Sequence, residues 1–238
     1  MNPNAEHPTT TPLDWASILA GEALVFGLLG KLLFEYPQRD WLQSLADEAV
    51  FDEIPFGAKQ PDVAAGLALL QQWGRESRGA LLNGSFEGMR ADYTRLFIGP
   101  GKVLTPPWES VYSSEERLTF QAQTLQVRNW YRRFGLESVK LHSEPDDHAG
   151  LEMAFLAHLA QLGLTALEQG DEARLAETLE AQREFLSAHP WRWMPVWCDQ
   201  VVAQAGTDFY RGIAQLTRGA LAELASVLET GHVPEAVA

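Results

Sequence analysis

The segment that most constrains the fold of this chain is the apolar stretch at residues 149–167. Its apolar side chains recur at intervals of three and four residues, and only two of its side chains are ionisable. This pattern is typical of an α-helix that is surrounded by other helices. Pro145 suits the first helical position, and Ser143 or Glu144 can cap the free backbone N–H groups. We therefore predict a central helix that begins near Pro145 and has a polar, acidic tip.

The same helical periodicity covers most of the remaining chain, and no alternating strand pattern of convincing length occurs. We predict an all-α, single-domain bundle of about nine or ten helices over residues 13–230. Residues 1–12 are predicted to be a disordered N-terminal tail, and residues 231–238 a frayed C-terminal tail.

Local signals predict where two of the later helices begin. The S-S-E-E pattern at residues 113–116 resembles a capping box, which predicts a helix from there through Leu118. The run H-P-W-R-W at residues 189–193 predicts a break in the chain, with the next helix beginning at Met194.

Composition limits the classes of partner and the compartment. The formal charge of −14 argues against nucleic acid and anionic membrane surfaces, and it favours basic ligands, although it also serves simply to keep a protein in solution. The single cysteine, Cys198, excludes an internal disulfide and a cysteine-based zinc site, which fits a reducing compartment. We expect no secretory signal and no transmembrane span, and therefore a cytoplasmic location.

A second informative stretch is I-G-P-G-K-V-L-T-P-P-W-E-S-V-Y at residues 98–112. Pro106-Pro107 disfavours helical geometry for the residues before it, so a loop is expected here. This loop would present Val103, Leu104, Trp108 and Tyr112. Such loops serve as rigid connectors or as binding surfaces, and the sequence alone favours neither.

Acidic residues are concentrated in one part of the chain. Residues 144–184 contain ten Asp or Glu and two Arg, a local net charge of −8, whereas the rest of the chain carries the remaining −6. A cationic peptide would be attracted to this region, while the aromatic loop could bind its apolar part. We predict a peptide-binding surface made from the helix tip and the loop.

The densest group of potential ligands or acid–base residues is Glu144, Asp147, His148 and Glu152. A carboxylate-bridged metal site in a bundle would need Glu-x-x-His from two helices, and the chain does not contain two such motifs. There is also no G-x-S-x-G motif and no phosphate-binding loop. A helical-bundle metal-dependent hydrolase is therefore the alternative of another class, and we predict a binding protein that is not an enzyme and requires no cofactor.

Three stretches together resemble the TorD/DmsD family of redox-enzyme maturation chaperones. They are Y-T-R-L-F-I-G-P-G-K-V-L-T-P-P-W-E-S-V-Y at residues 93–112, E-P-D-D-H-A-G-L-E-M-A-F-L at 144–156, and F-L-S-A-H-P-W-R-W-M-P with T-D-F-Y-R-G-I-A-Q-L-T within 185–217. The E-P-x-D-H element and the P-P-W loop are the specific parts, and the P-P-W loop makes the DmsD branch the nearer match.

The resemblance implies an all-helical cytoplasmic chaperone that binds the twin-arginine signal peptide of a molybdoenzyme precursor of the DMSO or TMAO reductase type. It would delay export through the Tat pathway and assist cofactor insertion. The alternative is an assembly chaperone of the nitrate reductase type, which acts on a molybdoenzyme subunit through cofactor insertion. The implied partners are the precursor's signal peptide and body, with Tat translocase components as further candidates. The resemblance does not decide whether the chain makes transient contact with the client's molybdenum cofactor or a guanine nucleotide. It also leaves both a monomer and a homodimer open.

The resemblance also implies which residues bind the signal peptide. Carried over by motif, they are Leu96, Phe97, Pro106, Pro107, Trp108, Ser110, Tyr112, Glu144, Pro145, Asp147, His148 and Trp193. Glu144 and Asp147 would meet the paired guanidinium groups, and the aromatic loop would meet the apolar run. Truncating Asp147 or Trp108 is expected to weaken peptide binding and to leave the fold nearly intact.

Overall fold

The computed structural model describes residues 13–79, 84–101, 103–113, 118–137 and 144–230. Within these ranges the chain forms ten α-helices and no strand, which confirms the all-α prediction and the predicted number of helices. The helices are α1 (Trp15–Phe34), α2 (Arg39–Asp47), α3 (Pro61–Ser77), α4 (Ser85–Tyr93), α5 (Glu109–Ser113), α6 (Ala122–Arg133), α7 (Ala149–Gln169), α8 (Glu172–Ala188), α9 (Pro190–Gln204) and α10 (Asp208–Thr230). Both predicted tails lie outside the described residues, and the single-domain boundaries stay a prediction.

Two close helix crossings organise the bundle, α1 against α7 and α3 against α10. At the first crossing, a Cβ atom on Gly150 would lie 2.7 Å from the carbonyl oxygen of Gly30. At the second, a Cβ atom on Gly66 would lie 2.6 Å from the backbone nitrogen of Leu216. Glycine at these positions therefore lets the helix backbones touch. α1 and α7 are each long and apolar enough to span a membrane, but about half of each is buried inside the bundle.

The central helix begins later than the sequence predicted. α7 starts at Ala149 instead of near Pro145, and its N-cap is His148, whose Nδ1 accepts a hydrogen bond from the Gly150 N–H at 3.0 Å. His148 itself is extended and pairs with Trp108 in an isolated antiparallel bridge, and Asp146 and Asp147 before it form a turn. The proposed cap Ser143 lies outside the described residues.

Two other predicted helix starts were wrong. α6 begins at Ala122 rather than before Leu118, since Phe120 has a left-handed φ of 59° that a helix cannot contain. Most of the predicted capping box lies in residues 114–117, outside the described ranges. α9 begins at Pro190, four residues before the predicted Met194, because proline is well suited to the first helical position.

α4 leads directly into the region of the predicted loop. It continues as a π-helical turn over Thr94–Ile98, and Gly99, with φ of 87°, ends it. π-Helical turns are rare and often occur at functional sites. The turn places Leu96 and Phe97 in the core, below the segment that follows.

Candidate functional site

The proline loop, defined here as residues 103–108, is held by hydrogen bonds at both ends. At its start, the backbone N–H and the hydroxyl of Thr105 donate to the carbonyl oxygen of Leu96, each at 3.0 Å. At its end, the Pro107 carbonyl accepts from the Ala149 N–H at 2.8 Å, where α7 begins. The loop therefore joins the π-helical turn to the start of α7 in a fixed shape.

Asp147 is completely buried beneath this loop. Its carboxylate accepts hydrogen bonds from the Ser110 backbone N–H and the Thr124 hydroxyl, each at 2.7 Å. Its backbone carbonyl accepts from the Glu109 N–H at 3.0 Å. Contrary to the expectation from the sequence, the structure therefore predicts that truncating Asp147 destabilises the fold, because the change would leave buried donors without an acceptor.

Asp146 anchors α6 in a similar way. Both Nε and Nη2 of Arg128 lie 2.7 Å from its Oδ2, and its backbone carbonyl accepts from the Tyr131 hydroxyl at 2.9 Å. Only 1% of Asp146 is exposed. The carboxylates of Asp146 and Asp147, which belong to the predicted acidic tip, therefore bind groups inside this chain.

Further buried ionisable groups extend this layer below the loop. Together they form what we call the buried polar cluster: Glu109, Asp146, Asp147, Glu152 and His189. The carboxylate of Glu109 lies 2.9 Å from His189 Nδ1. Glu152 Oε2 accepts from Trp193 Nε1 at 3.1 Å, and its Oε1 has no hydrogen-bond partner among the described residues.

The electrostatics of the buried polar cluster are dominated by burial. Loss of water raises the pKa of Glu152 well above its ordinary value, and the nearby carboxylates of Glu109 and Asp147 raise it further. Burial and the same carboxylates also raise the pKa of Tyr131. Burial therefore favours the neutral carboxylic acid form of Glu152, which accepts the hydrogen bond from Trp193.

His148 links the buried polar cluster to the loop. Because its Nδ1 accepts from Gly150, this nitrogen carries no proton. The ring packs edge-on against Phe34, with centroids 5.2 Å apart, and against Trp108 at 6.0 Å. His148 thus caps α7 and supports Trp108 from below.

Four half-exposed side chains form what we call the groove rim: Pro106, Trp108, Tyr112 and Glu144. Trp108 Nε1 donates to Glu144 Oε1 at 2.7 Å. The Tyr112 hydroxyl lies in hydrogen-bond contact with Gln200 Oε1 at 3.2 Å, and its ring lies 5.3 Å from that of Trp193. The rim therefore combines aromatic surface with one accessible carboxylate.

Between the proline loop and α9 lies a groove of about 710 Å³, which we call the loop groove. Leu104 of the loop and Val196 of α9 both line it and are 42% and 55% exposed, which is high for side chains of this kind. Its other side chains include Val103, Pro106, Trp108, Gln200 and Ala203. An apolar groove with a few polar groups at its edge is suited to an extended or helical peptide with apolar side chains.

Comparison with known proteins identifies the family at this point. A family model described as nitrate reductase delta subunit matches residues 58–199. The chain belongs to this family, the TorD/DmsD family. The matched residues include the proline loop, the buried polar cluster and the first half of α9.

Two curated relatives and one solved structure illustrate the similarity. The chain is 33% identical over 139 residues to the Tat proofreading chaperone DmsD of Salmonella typhi, covering 58% of this chain and 61% of that protein. It is 28% identical over 128 residues to the chaperone protein TorD of Vibrio cholerae, covering 54% and 56% respectively. The match thus spans about three fifths of these relatives. A crystal structure of a putative redox enzyme maturation protein from Archaeoglobus fulgidus aligns with a TM-score of 0.47 at 20% identity, over 90% of this chain and 96% of that one.

The residues predicted from the TorD/DmsD resemblance fall into two environments. Buried ones are Leu96, Phe97, Pro107, Ser110, Pro145, Asp147, His148 and Trp193, and half-exposed ones are Pro106, Trp108, Tyr112 and Glu144. All twelve lie in the loop, in α9 or in the segments that support the loop. Only the four residues of the groove rim present surface to a ligand, so the others support these four.

Sequence reasoning missed the side of the groove that α9 contributes. Val196, Gln200 and Ala203 lie four and three residues apart, which places them on one helix face. A valine on a helix face that it shares with polar residues was the available signal. Thr105 and Thr124 were also missed, because nothing local marks them as hydrogen-bond partners of this site.

The acidic stretch at residues 144–184 contributes less surface charge than its composition suggested. Three of its ten acidic side chains lie in the buried polar cluster. On α8, Glu177 pairs with Arg174, Glu180 with Arg183, and Glu184 with Arg133 of α6. Glu144, in contrast, lies at the groove rim, where it accepts from Trp108.

Two further grooves lie outside the loop groove. One, of about 630 Å³, is lined by Leu13, Ile18, Leu24, Phe56 and Val227, with Glu53 and Glu223 at its edge, and we call it the α1 groove. The other, of about 730 Å³, contains Tyr36, Arg90, Thr94, Arg95 and Leu104, and we call it the arginine groove. Leu104 lines both the arginine groove and the loop groove.

The hydrolase alternative finds no metal site in the described part of the chain. Within it, no three His, Cys, Asp or Glu side chains are arranged to hold one metal ion. The Cys198 thiol is buried, and burial raises its pKa, so it is a poor nucleophile. What the described residues of the site do offer is surface for binding.

Proposed function

We propose that this chain is a cytoplasmic chaperone that binds the twin-arginine signal peptide of a molybdoenzyme precursor of the DMSO or TMAO reductase type. It holds the precursor back from export and assists cofactor insertion. It acts by binding, without catalysis. Membership of the TorD/DmsD family and the names of the relatives support this proposal.

The observation that carries the proposal is the loop groove with its rim. Such a signal peptide has a basic n-region followed by an apolar h-region. The apolar walls at Leu104 and Val196 suit the h-region, and Glu144 at the rim suits a guanidinium group. The buried polar cluster holds this surface in place from below, so little ordering is needed when a peptide binds.

The second candidate is an assembly chaperone of the nitrate reductase type. The description of the matching family favours it, since that description names a nitrate reductase subunit. In this case the groove would bind the folded body of the client, and contact with the client's molybdenum cofactor would matter more than a signal peptide.

Calorimetric titration distinguishes the two candidates. The wild-type chain is titrated with a synthetic twin-arginine signal peptide and with a twin-lysine version, each at two salt concentrations. We expect dissociation constants of about 1 μM or tighter, with a preference for arginine and weaker binding at high salt. Absence of binding by signal peptides of every molybdoenzyme precursor from the same genome would reject the first candidate in favour of the second.

A pair of tryptophan variants tests whether the loop groove is the surface involved. Trp108→Ala removes the largest side chain of the rim, whereas Trp191→Ala removes an exposed tryptophan that lines none of the three grooves. Only Trp108→Ala should weaken binding of the peptide. Equal loss in both variants would place the binding surface elsewhere.

A further inference from the structure

Among the described residues that line the loop groove, Asp199 is the one with a charged side chain. It lies on α9 between Val196 and Ala203, at a spacing of three and four residues that places all three on the helix face of the groove. Its side chain is 63% exposed. The TorD/DmsD resemblance did not select this residue. Because the walls around it are mainly apolar, a cationic side chain that enters the groove meets this carboxylate.

Asp199 is paired with Arg218 of α10, but this arginine has a second and more complete partner. Its Nε and Nη2 donate to the two carboxylate oxygens of Asp62, at 2.9 and 2.7 Å, which is the bidentate geometry of a strong arginine–carboxylate pair. Nη1 contacts Asp199 through Oδ1. Arg218 would therefore keep a bidentate partner if Asp199 bound another cation.

The two carboxylates that share Arg218 also differ in exposure. Asp62 is 30% exposed and lies in the first turn of α3, where the helix dipole favours negative charge. Asp199 is about twice as exposed and can accept further hydrogen bonds, since an ionised carboxylate has about four acceptor sites. Asp199 is therefore the carboxylate of this pair that is able to bind a ligand in the groove.

Other described charged side chains near the groove do not line it. Arg95 contacts Asp92 and lines the arginine groove, and Glu144 accepts from Trp108 Nε1 at the rim. Asp199 differs from both because it lines the loop groove and shares its partner with another carboxylate.

We propose that Asp199 binds one guanidinium group of the signal peptide in the loop groove, and that Arg218 holds this carboxylate when no peptide is bound. This inference rests on the proposed function. A peptide arginine has the same charge and donor geometry as Arg218, so it can take over the contact with Asp199 while Arg218 stays bonded to Asp62. The groove thus offers a carboxylate to a cationic peptide, and no charge is left unpaired in the empty site.

Two changes with opposite expected effects test this exchange. Arg218→Gln removes the competing cation, so a twin-arginine peptide should bind about threefold more tightly at low salt. Asp199→Asn removes the carboxylate and should weaken binding of the same peptide by about three- to fivefold. In the double variant the gain from Arg218→Gln should disappear, because no carboxylate is left for it to release. Calorimetric titration of the wild type and the three variants measures these ratios.

Matched controls separate this effect from net charge and from groove shape. Arg174→Gln, in the surface pair with Glu177 on α8, and Asp208→Asn, in the surface pair with Arg211 on α10, carry the same charge changes. Neither residue lines one of the three grooves, so both variants should bind the peptide like wild type. A twin-glutamine peptide should bind all variants equally, whereas a distorted groove would weaken both peptides.

Asp62→Asn provides a test that keeps Arg218, whose contacts join α3, α9 and α10 and so support the fold. The neutral amide has one acceptor atom, so Arg218 should pair more strongly with Asp199. The twin-arginine peptide should then bind about twofold more weakly, although Asp62 lines no groove.

The outcomes distinguish this inference from the proposed function. Equal affinity of Asp199→Asn and wild type, or weaker binding of the twin-arginine peptide by Arg218→Gln, would overturn the role of Asp199 and leave the proposed function intact. Absence of binding of the twin-arginine peptide by the wild-type chain would overturn both.

Discussion

Carboxylates occur in two layers of the candidate site, and the layers differ in what their oxygens contact. In the buried polar cluster, Asp147 accepts from Ser110 and Thr124, and both oxygens are used inside the protein. On the groove rim, Glu144 holds Trp108 but is half-exposed. The same residue type thus builds the site in one layer and offers a contact in the other. Mutations in the two layers should therefore separate stability from binding.

The largest expected effect is the loss of stability in Asp147→Ala. The substitution removes the acceptor of two buried donors, so the free energy of unfolding should fall by about 3 kcal/mol or more. Urea denaturation followed by circular dichroism measures this loss. Asp147→Asn, which keeps one carbonyl acceptor, should lose less. A stability within 1 kcal/mol of wild type for the alanine variant would contradict the structural role of the buried polar cluster.

The second effect is the loss of peptide affinity in Trp108→Ala. Truncating a central aromatic anchor should weaken binding by about 2 kcal/mol, or roughly 30-fold. Because the side chain is half-exposed, the stability should change much less than in Asp147→Ala. Calorimetry and urea denaturation of the same preparation measure both quantities. A stability loss as large as that of Asp147→Ala would remove the distinction between the two layers.

The third effect is a pH dependence of stability that arises in the buried layer alone. The folded chain keeps Glu152 protonated above the ordinary pKa of 4.5, at which the unfolded chain releases this proton. Its contribution to stability is therefore complete below about pH 4.5 and declines as the pH rises toward the folded pKa. The slope reaches about 1.4 kcal/mol per pH unit for one group.

Glu152→Gln should reduce this slope, because the amide cannot ionise and can still accept from Trp193. Glu22, in contact with Gln182 in the core, has a pKa that burial raises to about 8, so it adds the same trend between pH 4.5 and 8. Urea denaturation from pH 5 to 8 is therefore compared between Glu22→Gln and the double variant that carries both Glu22→Gln and Glu152→Gln. An identical slope in these two variants would show that Glu152 is ionised in the folded chain.

The smallest effect is expected for Glu144→Gln on the rim. Loss of its charge should weaken the binding of a twin-arginine peptide about fivefold at low salt and less at high salt, with little change in stability. Glu168→Gln, an exposed glutamate at the end of α7, is the matched control. If both variants bind alike, the paired arginines contact another group.

Much of the fold could be predicted because its signals are local. The apolar periodicity at residues 149–167 identified α7, and Pro106-Pro107 identified a loop. The start of α7 could not be located, since Asp147 looks like an ordinary acidic residue of a first helical turn. Its partners lie 37 and 23 residues earlier in the chain, and only the tertiary structure shows that they hold Asp147 in a turn before the helix.

Many of the residues of the site could be predicted from the sequence, but their roles could not. Motif resemblance selected residues that lie together, but it did not separate buried supports such as Ser110 from the half-exposed Trp108 and Glu144. That separation depends on burial, which the motif does not contain. The α9 wall could have been found from the spacing of Val196 and Gln200, although the same spacing also fits an ordinary solvent-exposed helix face.

The most direct test of the central claim is photo-crosslinking of a signal peptide that carries benzophenone in its apolar run. After irradiation and digestion, mass spectrometry identifies the residues that were modified. The loop groove predicts crosslinks within residues 103–111 and within residues 196–204 on α9. Crosslinks concentrated in the α1 groove, at Leu13, Ile18 or Leu24, would show that the peptide binds another surface and would contradict the assignment.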